Sequence, residues 1–330
     1  MDRGRCMGVL VLAWMLVGTV IGVKPGAAQD LRRVAAGTFA LELDGAAVGF
    51  LKAVSGGEAE GDVVTDGVVG TSVKKHIGSV RTTDIVLEAG AGMEPAFYEW
   101  ISQSWAGKPT RPSGAILLSD YNMQVMSRRE FTGMIATTTL SALDAASKEP
   151  AELTVSIVPE RVRTVKGAGT VPSSLAAKGQ RPWLVSNFRL EIPGLDCSHV
   201  RKVDAITVKT KVVGEHGEVL PAAIEYSDVV LTLPVSSLDT WSDWIQTLVV
   251  SGNSDDSHEK NGDLILLGSD MQSEIARIHL FNLGIKSLRQ EAAGVANQIR
   301  SATATLYCER MALEWKGGAA AVMNVRAFGR

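Results

Sequence analysis

Apolar and polar positions alternate at Phe39, Leu41 and Leu43, and again at Phe188, Leu190 and Ile192. A period of two is the mark of a strand buried on one face. Asp44-Gly45 follows the first of these strands and supplies a turn. The uninterrupted apolar runs 115–118 and 264–267 predict central strands covered on both faces. Alternation returns at Leu153, Val155 and Ile157 and at Thr303, Thr305 and Tyr307, which predicts closing strands with those residues inward. The pattern switches to helical spacing twice. Pro95 suits a first helical position, Phe97, Trp100, Ile101 and Trp105 make an apolar stripe, and Gly107 terminates it. In the second case Ser236 or Ser237 is placed to cap, Trp241, Trp244, Ile245 and Leu248 form the stripe, and Gly252 ends it. A ligand platform of tryptophans is the sharper reading of these stripes; a core face is the better one, because helical spacing is what core packing needs.

These elements occur twice. Residues 38–45 align with 187–194 at an offset of 149, with Phe, Leu, Glu and Gly in identical places. Leu51 meets Val200 and Val54 meets Val203 at the same offset, so the register is expected to run on through the first hairpin of each half. Residues 83–87 then match 227–231, and Trp100-Ile101 matches Trp244-Ile245, both at 144. Gly114, Phe131 and Glu160-Arg161 find Gly262, Phe281 and Glu309-Arg310. Offsets that drift only between elements are what a duplicated module shows, because loops accept insertions that strands do not. The expected fold class is mainly β (α+β): two tandem β-barrel or packed-sheet modules, at 38–163 and 183–316, each with one short amphipathic helix. Residues 164–182, rich in Gly, Ser and Ala, read as a linker. Residues 317–330 read as a mobile tail or docking arm.

Composition changes this picture little. The chain has 330 residues, 45% hydrophobic and 21% charged, enough for two real cores, and 33 glycines suit many turns. The N-terminus matters more. Arg3 and Arg5 precede an uncharged run from Met7 to Val23, and Gly26-Ala27-Ala28 follows. That order is a secretory signal peptide, 1–28, with cleavage after Ala28; an uncleaved anchor and a mis-assigned start are the competing readings. The expected location is therefore periplasmic or extracellular, or cytoplasmic if the start is mis-assigned. Without residues 1–28 the chain carries 30 basic and 35 acidic side chains with no run of one sign, so no partnership with nucleic acid or with an anionic membrane is expected. Cys197 and Cys308 remain, either as a disulfide or as two buried thiols.

Candidate chemistry is sparse. His76, His199, His216, His258 and His279 lack metal-ligand spacing, there is no Cys-x-x-Cys, and neither nucleophile elbow nor phosphate loop is present. Each histidine reads as a lone surface residue. His258 beside Asp255, Asp256 and Glu259 could hold a cation, but a solvated acidic loop is the plainer reading. No catalytic, cofactor-binding or metal-binding residue is therefore assigned, and no cofactor is expected.

Leu41-Glu42-Leu43-Asp44-Gly45, followed by residues 49–56, resembles the opening of the tail-tube proteins of contractile phages and related injection machines. Lys74-Lys75, Ile85-Val86-Leu87, the Trp100 helix and residues 113–118 continue that resemblance in order, over most of 38–163. The second half departs from it at Pro193, at Asp204-Ala205 and in the loop 255–260. The family is similar in fold to the tube protein of type VI secretion. The resemblance implies a small β-barrel or pair of sheets with one flanking helix, in rings, usually sixfold, that stack into a tube with long loops joining neighbours. A structural, non-catalytic, self-associating protein is accordingly the first expectation, with other tail or injection-machine proteins as partners. Two modules per chain would make a trimeric ring with pseudo-sixfold symmetry. A secreted binding or adaptor module comes second and a secreted hydrolase third.

Overall fold

The computed structural model of the chain describes residues 37–69, 71–172, 175, 183–213, 220–290 and 300–317. The signal segment 1–28, nearly all of 317–330, His216 and, within the segment read as a linker, 173–174 and 176–182 lie outside these residues.

The first half starts as its pattern predicts. β1 (Thr38–Leu43) and β2 (Ala46–Leu51) form a hairpin across Asp44 and Gly45, at φ 49° and 80°. Positive φ at both central residues gives a turn whose twist matches the strands. β3 (Ala53–Ser55), β4 (Ala59–Val69), β5 (Ser72–Thr82) and β6 (Ile85–Ala89) follow. Helix α1 (Pro95–Trp105) begins on Pro95 and is closed by Gly107 at φ 75°. β7 (Ser113–Ser119), β8 (Val125–Leu140), β9 (Leu143–Asp144) and β10 (Leu153–Lys166) complete this half.

The second half contains β11 (Phe188–Glu191), β12 (Lys202–Val203), β13 (Ile206–Val213), β14 (Leu220–Tyr226), β15 (Val229–Pro234), helix α2 (Asp239–Ile245), β16 (Lys260–Leu267), β17 (Glu274–Gln290) and β18 (Ser301–Trp315). Three expectations need correction here. No strand follows β11 where β2 follows β1: the chain turns through Pro193 and Gly194, the latter at φ 82°, and the Leu195 N–H donates to Ile192 O at 3.0 Å instead of pairing back along β11. Ser236 and Ser237 do not cap α2; they form a 3₁₀ turn with Val235, and the helix starts after Leu238 without a side-chain cap. Beyond Ile245 the helix widens into a π turn over Gln246–Val250. β18 is a strand, but its inward residues are Ala302, Ala304, Leu306 and Cys308, so Thr303, Thr305 and Tyr307 lie on the opposite face.

The path of the first sheet is β2-β1-β7-β8-β10-β6-β3, all antiparallel, and that of the second is β11-β16-β17-β18-β15-β12-β9. From β1 to β3 and from β11 to β12 the two run through elements in the same order. Each sheet also holds a piece of the other half. β9 pairs with β12, closing the second sheet, and β13 pairs with β8, extending the first. One hydrophobic core runs through both, with Trp100, Ile101 and Val155 in the same cluster as Trp241, Leu264 and Leu306. The tryptophan stripes thus lie in the core, where Trp105 and Trp241 are fully buried.

β7 is covered on both faces. Ile116 faces the main core, and Ala115 and Leu117 turn outward beneath Val171 and Leu175. Of the segment read as a linker, residues 164–166 belong to β10, and the Val171 N–H donates to Met123 O at 2.9 Å.

Candidate assembly surface

β4 and β5 stand apart from both sheets as a two-stranded ribbon. Cross-strand pairs sort its side chains into two faces. Glu60 opposes Arg81 and Asp62 opposes Ser79 on one face, tied by Arg81 Nη2 to Glu60 Oε2 at 2.8 Å and by the Ser79 hydroxyl donating to Asp62 at 2.7 Å. Gly61 opposes Val80 and Val63 opposes Ile77 on the other. Val63, Ile77 and Val80 are 59%, 57% and 69% exposed. Burying such a side chain is worth roughly 1.5–3 kcal/mol, while the exposed ion pairs contribute about 0–1 kcal/mol each. The ribbon is amphipathic, and its apolar face is uncovered among the described residues.

The second half contains a ribbon of the same register with a different fate. Val208↔Tyr226 and Lys209↔Glu225 in β13–β14 stand where Ala59↔Thr82 and Glu60↔Arg81 stand in β4–β5. A bulge follows Lys211 as one follows Asp62. The base of each ribbon is tied alike: Glu58 N–H donates to Thr83 Oγ1 at 3.1 Å, and Thr207 N–H to Ser227 Oγ at 3.0 Å. The second ribbon, however, is docked. β13 lies along the end of β8 in the register Ile206↔Leu140, Thr207↔Thr139, Val208↔Thr138, Lys209↔Thr137. Its other strand reaches α1, where the Tyr226 hydroxyl donates to Trp105 O at 2.8 Å and Ile224 Cδ1 lies 3.6 Å from where a Cβ on Gly107 would be.

Elsewhere the titratable groups form structural pairs. His279 is not a lone surface residue: its Nδ1 lies 2.7 Å from Asp263 and its Nε2 3.4 Å from Glu314. Arg277 bridges Asp263 and Glu274, and these hydrogen bonds, with one from Lys316, hold the Glu274 carboxyl below the usual carboxylate range. His258 Nδ1 contacts Asp255 Oδ1 at 3.1 Å in a short 3₁₀ turn, His76 contacts Asp66 at 3.1 Å, and His199 is exposed. No group of three His, Cys, Asp or Glu side chains converges as a metal site among the described residues. Cys197 and Cys308 are free thiols, both pushed up to about 11, chiefly by burial. Among the described residues no helix is long and apolar enough to cross a membrane.

No family model and no curated protein matches the chain. The sheath-tube complex of an extracellular contractile injection system in its extended state matches at 19% identity and a TM-score of 0.33, over 39% of this chain and 88% of its own. The tube-terminating cap of the anti-feeding prophage matches at 21% and 0.34, over 39% and 87%. Hcp1 from Flavobacterium johnsoniae matches at 9% and 0.30, over 39% and 95%.

Proposed function

We propose that this chain is a structural, non-catalytic subunit of a tail-tube-like assembly, built from two tandem copies of one module and exported after loss of residues 1–28. The observation that carries the reading is the unequal fate of two ribbons of one register: β13–β14 is docked on a sheet, and β4–β5 holds Val63, Ile77 and Val80 in solvent. An apolar ribbon of this size calls for a partner. The shared strand order supports the tandem reading, as do the aligned offsets. Two modules per chain make a trimer with pseudo-sixfold symmetry the expected ring, and other parts of an injection machine are the expected partners.

Analytical ultracentrifugation and electron microscopy of the protein from residue 29 onward test this. Closed rings with the mass of three chains are expected. A monomer across micromolar concentrations, with no rings in the images, sinks the proposal. Fractionation of the native host, with the N-terminus of the recovered protein sequenced, tests export: a start at Gln29 outside the cytoplasm is expected, and a cytoplasmic protein still beginning at Met1 overturns it.

A further inference from the structure

The docked ribbon defines what the undocked one lacks. β13 adds to β8 over Thr137–Leu140, a stretch beyond the reach of β7, which pairs with β8 only as far as Thr132. The second sheet has the corresponding opening. β16 pairs with β17 no further than Leu283, and from Ser287 to Gln290 β17 is paired only with β18 among the described residues. Ser287 opposes Thr305 as Thr137 opposes Ser156, and Gln290 opposes Ala302 as Leu140 opposes Leu153, so the two edges correspond residue for residue.

We infer that the β4–β5 ribbon of one copy adds to the open edge of β17 in a second copy, in the register Glu60↔Ser287, Ala59↔Leu288, Glu58↔Arg289, Gly57↔Gln290. The inference rests on reading the two halves as repeats of one module, and it names the partner surface that the reading leaves open.

Two observations independent of the strand edge favour a second copy as the occupant. The first is charge. Within the chain, Thr207 and Thr139 face each other across the docked seam with their hydroxyls 3.0 Å apart. The residues in those places between copies are Glu58 and Arg289, a carboxylate opposite a guanidinium. The Glu58 side chain is 62% exposed even with Arg129 3.3 Å away, and Arg289 is exposed with no ion pair among the described residues. Opposite charges in directly facing positions favour that pairing and its register.

The second is apolar complementarity. Ile224 packs over the end of α1 in the docked ribbon. Its counterpart is Val80, and the helix end that Val80 would meet carries Val249 and Val250, which are 50% and 67% exposed. Both sides of the inferred contact thus expose aliphatic surface where the intramolecular contact buries it. Main-chain hydrogen bonds along the edge would supply affinity and these side chains the choice of partner. The contact is head-to-tail, using different surfaces on the two copies, and so forms a ring if the rotation closes.

Ala59→Cys with Leu288→Cys in the purified protein tests the register. Under mild oxidation the double variant should give a ladder of disulfide-linked chains, and each single variant should not. Because Leu288 packs partly against the core, Glu60→Cys with Ser287→Cys gives a second pair on exposed or half-buried positions. Glu58→Arg or Arg289→Glu alone should weaken association about tenfold, and the two together should restore it. Closed oligomers of the wild-type protein with no ladder from either pair, and no rescue by the charge swap, overturn this inference and leave the assembly proposal standing. A wild-type protein that stays monomeric overturns both.

Discussion

The hydroxyls of Thr207 and Thr139 lie 3.0 Å apart across the seam where a strand of the second half joins the sheet of the first. That seam, together with β9 on β12, interlocks the halves: neither sheet reaches its full width from its own half of the sequence. Unfolding one half therefore strips strands from the other, and a single cooperative transition follows from this exchange and from the shared core.

Beside the seam, Thr138 lies between Val155 and Val208, fully buried, and its hydroxyl has no partner among the described residues. Thr138→Val removes a buried polar atom while keeping the shape, so stability should rise by about 1 kcal/mol. Urea titration measures it; a loss of stability would mean that the hydroxyl is bonded in solution.

Two glycines make room for rings on the neighbouring strand. Gly114 faces Phe131 and Gly284 faces Tyr307, and a Cβ on either glycine would overlap the aromatic ring. Gly114→Ala should cost about 1–3 kcal/mol by overpacking. Phe131→Leu, costly alone, should recover part of that loss when combined with it, which a double-mutant cycle of thermal melts would register.

Replacing Val63, Ile77 and Val80 together by threonine tests the apolar face of the ribbon. All three are more than half exposed, so each substitution should move the stability of the dilute protein by no more than about 0.5 kcal/mol. Self-association in sedimentation should be abolished. Unchanged association would remove this face from the assembly.

Burial raises the Cys308 thiol and the Tyr98 phenol, the latter also donating to Gly90 O at 3.1 Å. A group raised in the folded state ionises first in the unfolded chain, so its contribution is complete below the unfolded value and is lost as pH rises. For Cys308 the window runs from the ordinary 9.0 to about 11, with a slope of about 1.4 kcal/mol per pH unit. Denaturant midpoints should fall through that range, and less steeply in Cys308→Ala. Equal slopes for the two proteins would count against burial of the thiol.

The sequence by itself determined the local elements. Period-two alternation located β1, β10 and β11, a continuous apolar run located β7, and Pro95 with the tryptophan spacing located α1, because each depends on residues within one strand or a few helical turns. Where contrast was low it misled. Ala302 and Ala304 are hardly more apolar to the eye than Thr303 and Tyr307, and only packing against the shared core showed which face of β18 is inward. It had no means of separating the two ribbons. They share a register, and what distinguishes them is which sheet edge lies open beside each, a relation among strands distant along the chain. Tertiary structure decided that one ribbon is spent inside the molecule while the other stays exposed, because strand pairing depends on an available edge that no local pattern encodes.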